Sequence, residues 1–405
     1  YIVMNCSCRR SIQEQWQEIW KSEECPRRWT ESEKIYLDKK GPSPDLGKKG
    51  GASLLSCTGK EFGHSVAARL KVVMDNNVSR VQGTGRGRGC MMQAGGLAQL
   101  IGSRWRRGKR TIGVPIDLRK AFDVCDHRMC RAMLQQKGVR GRLLSNVMAK
   151  YAERWARVKV KAEGGGFVYS PWWRDRGKGV TQGGVDSMEL FAGMVDGLEK
   201  ALIEAGVVGV ASEEGGELCR LVLFADDAIL LAECSEDAQK ALEVVEQFYL
   251  RWGMVPNPKK CEVIAWTPDG TQASPKLKLI GREISVKSEI VYLGMQMTKR
   301  PTWESHIQRR KKAARKWVWK TRNVARKKGR APIEVEEVLR KGGERASESY
   351  GAELWASLKG KRYEQVWTAQ AQVEKKMLGM SEWSPTCLAR EESGTSDWAS
   401  EAWLR

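Results

Sequence analysis

A chain of 405 residues with 41% hydrophobic side chains can bury a substantial core, in two to four domains or one multi-lobed one, so global disorder is excluded. The formal net charge of +21 is unusual for an enzyme of small metabolites and suits a polyanionic partner, nucleic acid first and an anionic membrane second. The 11 cysteines include no opposed CxxC or His pairs, which argues against a zinc site, and no apolar run approaches the ~18 residues of a membrane span.

In chain order, residues 1–45 carry an amphipathic helix around Ile12–Trp20 and no site chemistry. The Lys-, Gly- and Pro-rich stretch Lys39–Gly51 reads as loop, and Ser53–Val73 as an apolar-periodic helix. Ser79–Cys90 alternates glycines with Arg86 and Arg88, two forked donors suited to phosphate; it reads equally as a flexible linker, and no Gly-Lys-Ser/Thr ends it as in a Walker loop. Thr111–Leu118 is a β-branched apolar run that predicts a central strand ending at Asp117, followed by a helix capped by Asp126. Gly179-Val180-Thr181-Gln182-Gly183-Gly184 precedes a helix over Ser187–Glu204, whose N-terminal end attracts anions.

Leu221–Leu231 then places Asp226 and Asp227 between two apolar runs, the pattern of a buried hairpin with acids at its turn. Taken alone, the pair reads equally as a solvated surface turn. With Asp117 at the end of another buried strand, three carboxylates would suit two divalent ions held by oxygen. A helix starting at Ser235 and stopped by Gly253 and Pro256 follows, then strands over Glu262–Trp266 and Glu289–Met297. From Gln308 to Arg330 the chain carries 12 Lys/Arg and no acid, with Trp317 and Trp319 among them. That composition suits a nucleic-acid backbone, and Arg309, Arg310, Lys311, Lys312, Arg315 and Lys316 are its candidate contacts.

The series of motifs resembles the reverse transcriptases of non-LTR (LINE-type) retrotransposons over most of residues 25–395. Ile116-Asp117-Leu118-Arg119-Lys120-Ala121-Phe122-Asp123 is similar to that family's first palm motif, Gln182-Gly183 with Ser187 and Leu190-Phe191 to its second, and Phe224-Ala225-Asp226-Asp227 to its third. Asn257-Pro258-Lys259-Lys260 resembles the fourth motif, and Tyr292-Leu293-Gly294 the primer grip. Ser79–Cys90 stands where the fingers' Arg/Gly element belongs; Tyr350-Gly351-Ala352-Glu353 and Met377-Leu378-Gly379-Met380 resemble the segment after the thumb.

The resemblance implies an α+β right-hand polymerase: N-terminal extension and fingers over 1–110, a palm with antiparallel sheet over 111–300, and a basic helical thumb over 301–405. It implies an RNA-directed DNA polymerase that uses two Mg²⁺ ions (Mn²⁺ as the substitute), dNTPs, an RNA template and a DNA primer, with no membrane. Asp117, Asp226 and Asp227 would hold the metals with the Leu118 carbonyl; Phe122 would exclude a 2′-hydroxyl, Gln182 and Gly183 line the nucleotide pocket, and Lys260 assist the leaving group. A nuclear site of action inside the cell would follow from the family's habit. The start at Tyr1 implies a piece of a longer product, with any target-cleaving endonuclease encoded elsewhere.

Three departures bear on activity. The second motif continues Gly184, Val185, Asp186, Ser187, Met188 where the family has Ser-Pro-Leu-Ser-Pro, which puts an extra negative charge near the triphosphate. Gly50-Gly51-Ala52-Ser53-Leu54-Leu55 lacks the fingers arginine, and Thr181 replaces the one before the Gln. These imply weakened nucleotide binding; the alternative they raise is a catalytically degenerate nucleic-acid-binding remnant.

Overall fold

The computed structural model describes residues 6–38, 49–162, 164–175, 177–181, 183–269, 275–327, 338, 342–343, 346–355, 375, 380–381, 383–385 and 387–388. Gln182 and Met377-Leu378-Gly379 fall outside those residues. The chain divides into two compact units, Tyr1–Gln93 with Thr111–Val263 and Ser274–Val286, and Ala94–Arg110 with Ile264–Ala273 and Lys287–Arg405. In that division residues 94–110 and 287–300 belong to the second unit.

The first unit opens with α1 (Cys6–Ser22) and a short α2 (Arg27–Thr30). An antiparallel pair follows, β1 (Glu31–Asp38) and β2 (Lys49–Leu55), so Lys49–Gly51 and Ser53–Leu55 are strand, where loop and helix were expected. Ladder bonds to β1 override the low strand propensity of the glycines. The helix α3 (Cys57–Asp75) starts only after Ser56, whose hydroxyl accepts from the Gly59 amide at 3.3 Å. α4 (Cys90–Arg106) leads to β3 (Thr111–Ile116), whose residues are almost all buried, as befits an apolar strand covered on both faces. After α5 (Ala121–Val124), the Asp126 carboxylate caps α6 (His127–Gln136) by accepting from the Arg128 amide at 2.8 Å, as its sequence predicts.

α7 (Gly141–Ala152) runs into β4 (Arg154–Lys161), β5 (Phe167–Tyr169) and β6 (Trp173–Asp175), which join β1 and β2 in one sheet. The long helix expected over Ser187–Glu204 is two, α8 (Ser187–Val195) and α9 (Leu198–Glu204). They break at Asp196, whose buried carboxylate accepts from the Ser79 amide at 2.9 Å and pairs with Lys137. Those bonds hold the start of the Arg/Gly stretch against this corner.

The hairpin β7 (Leu221–Phe224) and β8 (Asp227–Ala232) forms as its apolar runs predict. α10 (Ser235–Arg251) is capped by the Cys234 sulfur rather than by Ser235. β9 (Glu262–Trp266) then returns to the central sheet, and the short β10 (Lys278–Leu279), β11 (Arg282–Glu283) and β12 (Ser285–Val286) follow. The central sheet runs β12-β9-β3-β8-β7, with β8 antiparallel to both neighbours. One hydrophobic core, including Leu70, Leu134, Phe191, Leu198, Leu230 and Tyr249, fills this unit.

In the second unit the strand expected over Glu289–Met297 is a hairpin, β13 (Glu289–Tyr292) and β14 (Met295–Thr298). Leu293 and Gly294, at φ 45 and 76, make its turn, so Tyr292-Leu293-Gly294 reverses the chain. α11 (Glu304–Lys327) carries the basic run and packs on this hairpin through His306. The His306 ring is buried, its Nδ1 accepting from the Gln296 amide at 3.1 Å and its Nε2 lying 3.0 Å from the Tyr350 carbonyl. Only a neutral imidazole with Nε2–H donating satisfies both. Burial, with Arg310 and Arg309 nearby, holds its pKa below the ordinary 6.5. A folded pKa below the unfolded one means this contribution is complete above about pH 6.5 and is lost as pH falls below it. Amide-exchange protection at Gln296 is therefore expected to weaken from about pH 7 to pH 5.5, and not in His306→Phe, where the acceptor is already gone. Among the described residues no helix is long and apolar enough to cross a membrane.

Candidate active site

The strand register builds the site. Ile116 on β3 lies opposite Ala228 on β8, so the next residue, Asp117, is carried towards Asp227 at the mouth of the β7–β8 hairpin. Phe224 pairs with Asp227, leaving Ala225 and Asp226 as the two turn residues, with Ala225 at φ 52, a region that side chains other than glycine enter at a cost.

Charge agrees with the proximity. Burial, and then the charge of Asp117, raise the Asp226 carboxyl above its usual range. The Asp227 residue is exposed as a whole, yet its carboxyl is partly withdrawn from water. That burial, with the charges of Asp226 and Asp117, pushes it up to about 6. Among the described residues no three His, Cys, Asp or Glu side chains converge on a single ion position.

Asp117 is held from a third direction. Past the end of β3 the chain pairs with residues 255–257: the Arg119 amide donates to the Val255 carbonyl at 2.9 Å and the Asn257 amide to the Asp117 carbonyl at 2.8 Å. The Asn257 side chain donates to the Asp117 carboxylate at 3.2 Å, and Lys260 Nζ stands 3.4 Å from it. The basic residue brought to the site, Lys260, pairs with Asp117. Leu118, nearly buried, continues this segment, and the buried thiol of Cys261 lies beneath it, its pKa pushed up to about 11 by burial.

Gln82, which carries no signal in the sequence, ties the Arg/Gly stretch to the acidic turn. Val81 and Gly83 exchange backbone hydrogen bonds with Leu223, extending the sheet beside β7. The wholly buried Gln82 side chain accepts from the Ala225 amide through Oε1 at 3.0 Å. Arg88 does not point at solvent as a phosphate donor. Its guanidinium donates to the carbonyls of Ser79, Arg80 and Gln82 at 2.7, 3.2 and 2.9 Å, tying this irregular loop to itself. The stretch is thus a braced strap rather than a flexible linker. Arg86 remains exposed, its amide bound to Asp75 at 3.0 Å.

Phe122 sits in α5 with its ring stacked on Phe191 at 5.1 Å between centroids. Gly183 adopts φ 101, which demands glycine, and is exposed beside the start of α8. Asp186 corrects an expectation: its carboxylate is buried and paired with Lys150 at 2.8 Å, so its charge is spent inside the unit. In the second unit Tyr292 is buried, leaving Leu293 and Gly294 as the more accessible residues of that motif. Of the six basic candidates on α11, Lys312, Arg315 and Lys316 are exposed, whereas Arg309, Arg310 and Lys311 are partly buried. Arg310 lies over the Tyr350 ring at 5.5 Å, so it packs the helix rather than presenting a free charge.

The chain is similar to two retrovirus-related Pol polyproteins from type-1 retrotransposable element R2. One, from Nasonia vitripennis, is 26% identical over 273 residues, which cover 67% of this chain and 25% of the relative. The other, from Popillia japonica, is 25% identical over 258 residues, 62% of this chain and 34% of the relative. The chain therefore spans a quarter to a third of the length of these relatives. Among solved structures, telomerase from Candida albicans in complex with a TWJ fragment of telomeric RNA aligns with a TM-score of 0.46 and 10% identity, covering 95% of this chain and 68% of that one. The sequence pattern of the reverse transcriptase (RNA-dependent DNA polymerase) family matches residues 38–297, which hold the strap, β3, the acidic hairpin and the β13–β14 turn. By that match, over more than half of its length, the chain belongs to the reverse transcriptase family and has its α+β right-hand polymerase fold.

Proposed function

We propose that this chain is the polymerase segment of a non-LTR retroelement protein, adding dNTPs to the 3′-hydroxyl of a DNA primer along an RNA template. The observation that carries the reading is the strand register that carries Asp117, just past the end of β3, towards Asp227 at the hairpin turn, with the raised Asp226 and Asp227 carboxyls in agreement. Three carboxylates whose charges act on one another are an open demand for cations. The donor set fits Mg²⁺, which takes one or two carboxylates and completes its shell with water and substrate phosphates, so no closed protein cage is required. Asp117 and Asp226 would hold two such ions, with Asp227 and the Leu118 carbonyl beside them. Bound there, such ions would lower the pKa of the primer hydroxyl and neutralise the triphosphate and departing pyrophosphate.

The chain's own residues supply the rest. Lys260 steadies Asp117 while the site is empty of substrate and offers its charge to the leaving group. Arg86, exposed where Arg88 is not, meets the triphosphate. Gly183, with Gln182 beside it, lets the chain approach the nucleotide closely. Phe122 closes the space a 2′-hydroxyl would need, so Phe122→Ala is expected to admit ribonucleotides about 10- to 100-fold better relative to dNTPs, read from competing single-nucleotide incorporations. Leu293 and Gly294 contact the primer strand, and Lys312, Arg315 and Lys316 the duplex backbone. The burial of Asp186 removes one reason to expect weak nucleotide binding.

Extension of a DNA primer on an RNA template with Mg²⁺ and dNTPs tests the reading. Template-length product from the full chain is expected. Salt-sensitive binding with no metal-dependent synthesis would refute it and leave a nucleic-acid-binding remnant.

A further inference from the structure

The sheet built from β1, β2, β4, β5 and β6 carries chemistry that the polymerase reading does not use. Lys159 and Lys161 on β4 stand opposite Tyr169 and Phe167 on β5, and Arg157 stands opposite Glu33 on β1. Alternation along the strands puts all six on one face. There, cations and rings interleave: Lys159 lies over Phe167 at 4.5 Å, and Arg157 lies between Tyr169 at 4.1 Å and Trp172 at 4.6 Å. A protein core would cover such rings. Here Phe167 and Tyr169 on the β4–β5 hairpin and Trp172 just after it stay 57%, 40% and 37% exposed, and the hairpin also exposes Val160 and Val168 on its other face. Glu33 is the acid this ladder holds, paired with both Arg157 and Lys159.

We propose that this ladder is a docking platform for an unpaired nucleic-acid strand, whose bases stack on Phe167, Tyr169 and Trp172 while its phosphates meet Arg157, Lys159 and Lys161. Three features favour that occupant. Exposed ring faces accept any base. Phe167 and Tyr169 stand two residues apart on β5, a rise of about 6.8 Å, twice the stacked-base spacing of about 3.4 Å. The chain's net charge of +21 complements a polyanion. A duplex, whose base faces are already stacked, has nothing to give the rings.

The platform is independent of catalysis and is read by binding alone. In the full chain, Phe167→Ala, Tyr169→Ala and Trp172→Ala are combined, and the affinities for fluorescent single-stranded oligo-U, oligo-dT and an RNA–DNA duplex are measured by anisotropy at several salt concentrations. The exposed rings support no core, so an unchanged melting temperature is the folding control. Stacking predicts a loss of at least about 10-fold for both single strands. It also predicts a change below about two-fold for the duplex and an unaltered salt slope, because no cation is removed. A second variant that exchanges the rings but keeps an aromatic at each position, combining Phe167→Tyr, Tyr169→Phe and Trp172→Tyr, should retain the wild-type affinity. Single-strand affinity of the alanine variant within about two-fold of wild type, or an equal loss on the duplex, would overturn the proposal.

Discussion

Asp226→Ala is expected to abolish primer extension, by about 10³-fold or more, while raising the melting temperature of the metal-free protein. Both effects have one cause. A carboxylate that anchors a divalent ion at the reacting phosphate contributes several kcal/mol to the transition state, and about 4 kcal/mol is 10³-fold in rate. Without the ion, the same carboxylate only repels its neighbours. Asp227, pushed up to about 6 by burial and by the charges of Asp226 and Asp117, binds its proton more tightly folded than unfolded. It therefore subtracts stability at neutral pH, and the subtraction fades as pH falls through about 6.

Metal-free wild type should accordingly gain stability from about pH 7.5 to pH 5.5, and Asp226→Ala should show a smaller gain from a higher start. Solvent around the exposed Asp227 screens the repulsion, which keeps the difference to about 1 kcal/mol or less, a few degrees in melting temperature. Scanning calorimetry in chelator checks the stability arm, and single-turnover incorporation the catalytic arm.

Gln82→Leu should reduce extension about 10- to 100-fold although Gln82 touches neither substrate nor metal. Its Oε1 accepts from the Ala225 amide, within the turn that presents Asp226. Removing that acceptor leaves a buried N–H unpaired, at about 1–3 kcal/mol, on a residue already held at φ 52. The turn then relaxes, and a displacement of about 1 Å at reacting groups can cost about 10²-fold. A positioning role predicts a fall in kcat with the dNTP KM within about three-fold; a role in nucleotide binding would instead raise KM. The Arg88 contacts to the Ser79, Arg80 and Gln82 carbonyls predict a milder version of the same loss in Arg88→Met.

What the sequence made legible was what local pattern encodes. Apolar runs around Asp226-Asp227 and before Asp117 specified three buried strands with acids at their ends, because period and β-branching act within a few residues. The order of short motifs did the rest for family and fold. What stayed hidden depended on distant partners. Lys49–Gly51 looks like loop until β1 supplies its ladder, and Gln82 looks like any loop glutamine until β7 lies beside it. Asp186 read as a hazard to the triphosphate because its partner Lys150 is 36 residues away. Leu293-Gly294 is the exception, since the glycine is a local turn signal that already splits Glu289–Met297 into a hairpin.

The count of manganese ions bound per chain tests the central claim most directly, measured by electron paramagnetic resonance with a primer–template lacking its 3′-hydroxyl and a matching dNTP. Two ions on the wild-type chain, falling to one or none in Asp117→Asn and in Asp226→Asn, is the result the arrangement of β3 and the β7–β8 turn predicts. Two ions retained by either variant, or none on the wild type, would contradict a metal centre shared by those strands.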